Sequence, residues 1–328
     1  MEGITHVRTR PARVSLWRCV VVCLLFLMSG PAAAQNCAAT MSNVSFGAKT
    51  VSNVYGSTTT ATITEGCTAG FPTRGTLNIC NRINYGSSST SVTNRYLRSS
   101  GTSGVIGYQL YADPAFSTVF TYSPGLITAI HYSQASGGST NVTVYAKIQS
   151  LPMGVPPGTY SDTYSVSSGS LARFGALAES DVCTNTAYIG VALTFNVSVT
   201  LLASCTVQTA NLTFPTSGII KNAIDATGSM YVSCTSTTPY NVGLSAGNGA
   251  GATVAARKMT GPGGATLTYS LYRESTRGAV WGTTVGSDTV YGFGNGSQQS
   301  YLIYGRVPVQ ITPTPGLYSD TVIVTVTY

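Results

Sequence analysis

Charge is scarce in this chain: 17 Lys and Arg and 10 Asp and Glu among 328 residues. Helices draw on Glu, Lys and Arg for their exposed faces, so an all-helical protein is excluded. Gly 36, Tyr 20 and abundant Ser and Thr favour short strands and turns instead. Histidine is scarcer still, and beyond residue 35 only His131 remains. One imidazole leaves no basis for the usual metal sites or for Ser/His and Cys/His nucleophiles, so neither an enzyme nor a cofactor is expected. No CxxC pair suggests zinc or redox chemistry. Basic runs are missing too, and the chain beyond residue 34 has a net charge of only +4, which argues against nucleic acid as a partner.

What is present begins with a leader. Arg8, Arg10, Arg13 and Arg18 precede the apolar run Cys19 to Met28, then Ser29-Gly30-Pro31 and Ala32-Ala33-Ala34. The run is too short to span a bilayer and reads as a signal peptide, residues 1–34, cleaved after Ala34. No comparable stretch follows, so the mature chain is expected to be exported, without a membrane span. It keeps Cys37, Cys67, Cys80, Cys183, Cys205 and Cys234, for which an oxidising compartment makes disulfides the default, with 15 possible connectivities.

Internal repetition narrows that choice. Cys37 and Cys67 are 30 apart, and Cys205 and Cys234 are 29 apart. Tyr108-Gln109-Leu110-Tyr111 answers Tyr269-Ser270-Leu271-Tyr272, and Val144-Tyr145-Ala146-Lys147-Ile148 answers Ile303-Tyr304-Gly305-Arg306-Val307. Pro157-Gly158-Thr159-Tyr160-Ser161-Asp162-Thr163 answers Pro315-Gly316-Leu317-Tyr318-Ser319-Asp320-Thr321. Two repeats of one domain are read, about 35–203 and 204–328, with bridges Cys37–Cys67 and Cys205–Cys234. Cys80 and Cys183 are left to join each other. Strands of alternating polarity between Gly, Pro, Ser and Asn punctuation point to an all-β protein of two tandem β-sandwiches.

The repeats differ at their ends. After Thr321 the second runs through Val322, Val324, Val326 and Tyr328 on one strand face, whereas the first continues past Asp162 for 40 residues to Leu202. That extension closes with Leu193, Phe195, Val197, Val199 and Leu201 alternating with Thr194, Asn196, Ser198 and Thr200, the pattern of a strand with one face in a groove. Without a counterpart, the second sandwich should lack one strand. Exposing its groove would cost up to about 10 kcal/mol, at about 1.5–3 kcal/mol per apolar side chain. That equals a typical domain's whole stability, so a strand from another chain is expected to fill the groove.

The cysteine spacing, Tyr-x-Leu-Tyr, Trp281-Gly282, Tyr304-Gly305-Arg306 and the terminal Gly-x-Tyr-Ser-Asp-Thr-Val-x-Val-x-Val-x-Tyr resemble the spore coat protein U-like domain of archaic chaperone–usher pili. The likeness covers the second repeat almost completely and the first more loosely, with Val119-Phe120 standing for Val280-Trp281 and Phe214-Pro215 for Phe46-Gly47. It implies two Ig-like, pilin-type sandwiches, the second incomplete and completed by a donor strand in trans. It also implies a periplasmic chaperone, an outer-membrane usher and an adjacent pilin as partners. By analogy, Leu193 to Leu201 is a donor segment used in cis. Only Gln35 and Asn36 would precede Cys37 after cleavage, so the subunit is expected to accept a strand and give none, as at a fibre tip. Two-domain tip subunits of this family look like adhesins for attachment to a host or abiotic surface and for biofilm formation. A non-adhesive minor pilin or assembly-initiating cap is the alternative.

Several motifs carry the bland reading. Gly243-Leu244-Ser245-Ala246-Gly247 fits the nucleophile-elbow pattern without a helix or a His partner, and Gly247-Asn248-Gly249-Ala250-Gly251-Ala252 fits a dinucleotide loop without a βαβ unit. Asp162 and Asp320 read as turn caps, and the tyrosines as half-buried strand residues. Strand direction puts the loops containing Phe71, Pro72, Leu171, Phe174 and Leu177 at the pole far from the second repeat, as an apolar binding patch if they project. Phe116, Phe120, Tyr122 and Leu126 form a weaker candidate.

Overall fold

The computed structural model describes residues 36–68, 75–102, 104–132, 137–175, 182–184 and 190–328. The first repeat contains β1 (Cys37–Met41), β2 (Val44–Lys49), β3 (Thr58–Cys67), β4 (Gly75–Arg82), β5 (Arg95–Arg98), β6 (Val105–Tyr111), β7 (Leu126–Tyr132), β8 (Gly138–Ser150), β9 (Gly158–Tyr164), β10 (Leu171–Gly175), β11 (Gly190–Ala192) and β12 (Phe195–Leu201). They form an eight-stranded sheet, β1-β3-β8-β6-β5-β9-β12-β2, and a four-stranded sheet, β11-β10-β4-β7. Period-two alternation turns one face of each sheet inward, where a single core runs from Ala39 to Leu201.

The second repeat contains β13 (Cys205–Thr209), β14 (Ile224–Cys234), β15 (Pro239–Leu244), β16 (Arg257–Thr260), β17 (Thr266–Tyr272), β18 (Val290–Phe293), β19 (Gln298–Val307) and β20 (Val324–Thr327). Its sheets are β13-β14-β19-β17-β16 and β18-β15-β20, around a core of its own that includes Met230, Tyr269, Leu271 and Trp281. No helix among the described residues is long and apolar enough to cross a membrane.

The three disulfides join Cys37 to Cys67, Cys205 to Cys234 and Cys80 to Cys183. The first two link directly opposed residues at the starts of β1 and β13 and the ends of β3 and β14. The third closes 103 residues and forms a small buried cluster with Val182 and Ile127. Replacing Cys80 and Cys183 together with Ser should destabilise the first repeat by about 2–4 kcal/mol, because a long loop regains its freedom in the unfolded chain. Calorimetry of the oxidised protein checks this.

Some expectations are corrected. Phe174 is not on a projecting loop: it lies on β10 opposite Ile79 of β4, buried in the core. Leu171 opens the same strand, half-buried, paired with Arg82 and Ala192. Gly and Ser around these residues mask a strand held by pairing on both edges. Phe120 is likewise core, its N–H donated to the Leu110 carbonyl. Phe116 is half-buried against Tyr111 and Tyr145, Tyr122 sits under Arg82, and Leu126 is half-buried at the start of β7. Phe71, Pro72 and Leu177 lie outside the described residues, as do residues 1–34, expected to be a signal peptide. The terminal strand is present but short, β20, with Val322, Val324 and Val326 half-buried on one face as the alternation predicts. Ser319 bridges Thr260 on one sheet, and the chain then crosses to pair β20 with β15 on the other.

Candidate functional site

The site is the edge beside β9 in one repeat and beside its counterpart, residues 316–322, in the other. Three sets of contacts fix the correspondence. Arg98 pairs with Ser161 and Thr260 bridges Ser319. The Tyr160 hydroxyl donates to the Pro156 carbonyl at 2.7 Å, and Tyr318 to Thr314 at 2.6 Å. Tyr108 donates to Asp162 Oδ2 at 2.8 Å, and Tyr269 to Asp320 Oδ2 at 2.7 Å.

These aspartates do more than cap a turn. Fully buried Asp162 accepts also from the Ser88 N–H and the Ser89 hydroxyl, and Asp320 accepts from the Asn248 N–H. Each therefore ties a loop to its sheet as an acceptor of charge-assisted bonds. Burial, followed by the neighbouring Tyr164 and Asp162, pushes the Tyr108 phenol up, and burial with the Asp320 bond does the same to Tyr269. Both phenols stay donors.

Beside them stands a pair the sequence reading missed. Arg95 is buried and donates to the carbonyls of Ile83, Asn84 and Phe120 and to Gln109 Oε1. Arg257 donates to the carbonyls of Ser245, Val254, Leu244 and Trp281, and burial lowers its pKa. The available signal was Arg-x-apolar shortly before each Tyr-x-Leu-Tyr: Arg95 precedes Tyr108 by 13 residues and Arg257 precedes Tyr269 by 12.

On this shared frame the two edges differ. In the first repeat β12 is antiparallel to β9, with Phe195 opposite Tyr164, Val197 opposite Asp162, Val199 opposite Tyr160 and Leu201 opposite Gly158. Its other edge is parallel to β2, and the register shifts between Ser198 and Thr200 where Gly47, at φ 70°, bulges. Leu193, Phe195, Val197, Val199 and Leu201 are all buried, and Phe195 stacks on Tyr164 with ring centroids 4.1 Å apart. Pro215 replaces Gly47 in the second repeat, and among the described residues neither a β2 nor a β12 counterpart lies beside 316–322.

Exposure follows. Val207 on β13 matches Ala39 on β1 but is 37% exposed against 6%. Leu317 is 87% exposed and Ile323 61%, while Tyr318, Val322, Val324 and Val326 are half-buried against the second core and Tyr328 is exposed. Ser245, the serine of the elbow-like motif, accepts the Ile323 N–H at 2.9 Å and so anchors the crossing between sheets.

The Spore Coat Protein U domain family matches the chain twice, over residues 23–167 and 191–325. The second match includes β12, although β12 is hydrogen-bonded into the first repeat. Protein U of Myxococcus xanthus is 36% identical over 107 residues, 31% of this chain, and the chain spans 59% of that relative's length. Among solved structures, a chain of the CsuC–CsuE chaperone–tip adhesion subunit pre-assembly complex, from archaic chaperone–usher Csu pili of Acinetobacter baumannii, superposes with a TM-score of 0.51. The match covers 89% of this chain and 100% of that one at 16% identity, a likeness of fold. The CupB6 tip adhesin from Pseudomonas aeruginosa is 11% identical with a TM-score of 0.35, over 89% of this chain and 94% of that one. Matched over both of its repeats, the chain belongs to the Spore Coat Protein U domain family.

Proposed function

We propose that the protein is a tip adhesin of a chaperone–usher pilus. Residues 35–203 form an adhesin-like domain completed in cis by β12, and residues 204–328 form a pilin domain that receives a donor strand from the adjacent subunit. One observation carries this reading: the same structural position holds β12 in the first repeat and, among the described residues, no strand in the second. The single alternating segment between the repeats is spent on the first, so it is not free to complete another subunit. A periplasmic chaperone would hold the open groove until an outer-membrane usher replaces it with the pilin strand, by strand addition. Export to the cell surface, attachment and biofilm formation follow from that placement.

The remaining apolar candidates for surface contact are Tyr122, which is exposed, and Phe71, Pro72 and Leu177, which lie outside the described residues. Burial of Phe174 and Phe120 removes part of the expected patch and favours, as the second reading, a non-adhesive cap or minor pilin. Deleting the gene and scoring piliation and attachment separately tells them apart. Pili present with attachment lost is the expected result; pili lost, with attachment restored by restoring piliation through another subunit, means a cap.

A further inference from the structure

One buried carboxyl in the first repeat takes no part in strand pairing chemistry. Glu65, on β3, is fully buried and faces Asn81 of β4, also fully buried, and Thr128 of β7. Asn81 Nδ2 donates to Thr128 Oγ1 at 3.1 Å, and Thr128 Oγ1 donates to Glu65 Oε2 at 2.9 Å. That uses the threonine's only proton. Glu65 Oε1 and Asn81 Oδ1 are left as two buried acceptors with no donor, which is costly for an ionised carboxyl above all.

The second repeat shows that the fold does not need this trio. Val207 and Val232 pair as Ala39 and Glu65 do, so Val232 stands at the Glu65 position. The buried arginines contact the carbonyls of Ile83 and Leu244, so Val242 stands at the Asn81 position. Both valines are fully buried. The same sandwich thus closes with apolar residues where the first repeat places a carboxyl.

No cation compensates it among the described residues. Arg82 of β4 alternates away from Asn81 and lies over the Tyr122 ring, and Arg173 of β10 pairs with Cys80 and donates to the Cys183 carbonyl. On β7, His131 alternates away from Thr128 and contacts Thr76. On β8, Tyr145 and Lys147 face outward beside Phe116. Residues 37–41 of β1 contain no titratable side chain apart from the bridged Cys37. Tyr132, at the end of β7, is the remaining titratable group of these strands that packs against this core.

We propose that Glu65 is a resident proton site, carried as the neutral acid at neutral pH, its proton supplying the donor that the Glu65–Asn81–Thr128 trio otherwise lacks. Burial raises the carboxyl above its ordinary value of 4.5, against the smaller opposing effect of the Thr128 and Asn81 bonds. The sign follows from linkage. Folding takes up a proton here, so the stabilisation is complete below the unfolded value and is lost as pH rises through the folded value. Mild acid should therefore strengthen the first repeat, the reverse of the usual salt-bridged carboxylate.

The test uses the full mature chain. With 13C-glutamate only Glu65, Glu179 and Glu274 are labelled, and Glu274 is exposed. Infrared spectra at neutral pH should show an isotope-shifted carboxylic acid C=O band, lost in Glu65→Gln, which supplies an N–H donor without titrating. The melting temperature of the first repeat should fall in the wild type as pH rises above the ordinary carboxyl range, and this fall should be missing in Glu65→Gln. The double variant Glu65→Val with Asn81→Val copies the second repeat and should also lack it. Absence of the acid band in the labelled wild type overturns the proposal whatever the variants do. So do parallel pH profiles, or stabilisation by added sodium or calcium in place of acid, which would assign the two oxygens to a cation.

Discussion

Val197→Asp should unfold the first repeat and leave the second in place. Val197 is fully buried between Val44 of β2 and Asp162 of β9. A carboxylate there would face the Asp162 carboxyl across the strand pair, with the donors around that aspartate already engaged. Like charges directly opposed in a sheet repel, and a buried charge without a partner adds its own desolvation cost. The expected loss is on the order of 4–5 kcal/mol, close to the whole stability of a marginal domain. Calorimetry should lose the first repeat's transition while retaining the second. Asn196→Asp, one residue away on the exposed face, should stay within about 0.5 kcal/mol of the parent. An undiminished first transition in Val197→Asp would mean that β12 is dispensable.

A second effect concerns the edge beside 316–322. A synthetic peptide with the sequence of residues 193–202 should stabilise the second repeat of the full chain, because 316–322 presents the same Gly-x-Tyr-Ser-Asp-Thr frame that β12 meets at 158–163. At a hundredfold excess over Kd the gain is about 2.7 kcal/mol, or on the order of 10 °C in Tm for a domain of this size. Without peptide or chaperone the same edge should drive aggregation, as unpaired strand edges do. A peptide with the apolar residues moved by one position faces the wrong side and should do neither. Equal effects from both peptides would rule out a register-specific groove.

Much of this architecture is legible in the chain. The repeat survives in the text because Asp162 and Asp320 need the same tyrosine and the same turn, so the residues that meet in space recur in order. The alternation from Leu193 to Leu201 is equally plain, since a strand buried on one face has no freedom to vary its period. Other parts leave little trace. Arg95 and Arg257 bond mainly to backbone carbonyls, and carbonyls have no letter of their own. Phe174 sits in a short strand whose neighbours are Gly, Ser and Ala, and pairing with β4 and β11, not local propensity, makes it a strand. Glu65 interrupts an apolar face in a way that periodicity reads as a misplaced surface residue.

The short connection from β12 to β13 has a mechanical consequence. Only residues 202–204 separate Leu201 from Cys205, so tension applied to the second repeat enters the first at the carboxyl end of β12. Drawn along the strand axis, that load falls on both of its ladders at once, the antiparallel one with β9 and the parallel one with β2, and they must yield together instead of unzipping bond by bond. On the far side of the linker the load meets the Cys205–Cys234 bridge almost immediately, so the pull passes covalently to β14, which is paired on both edges, and spares the edge strand β13. The junction is built to be stretched.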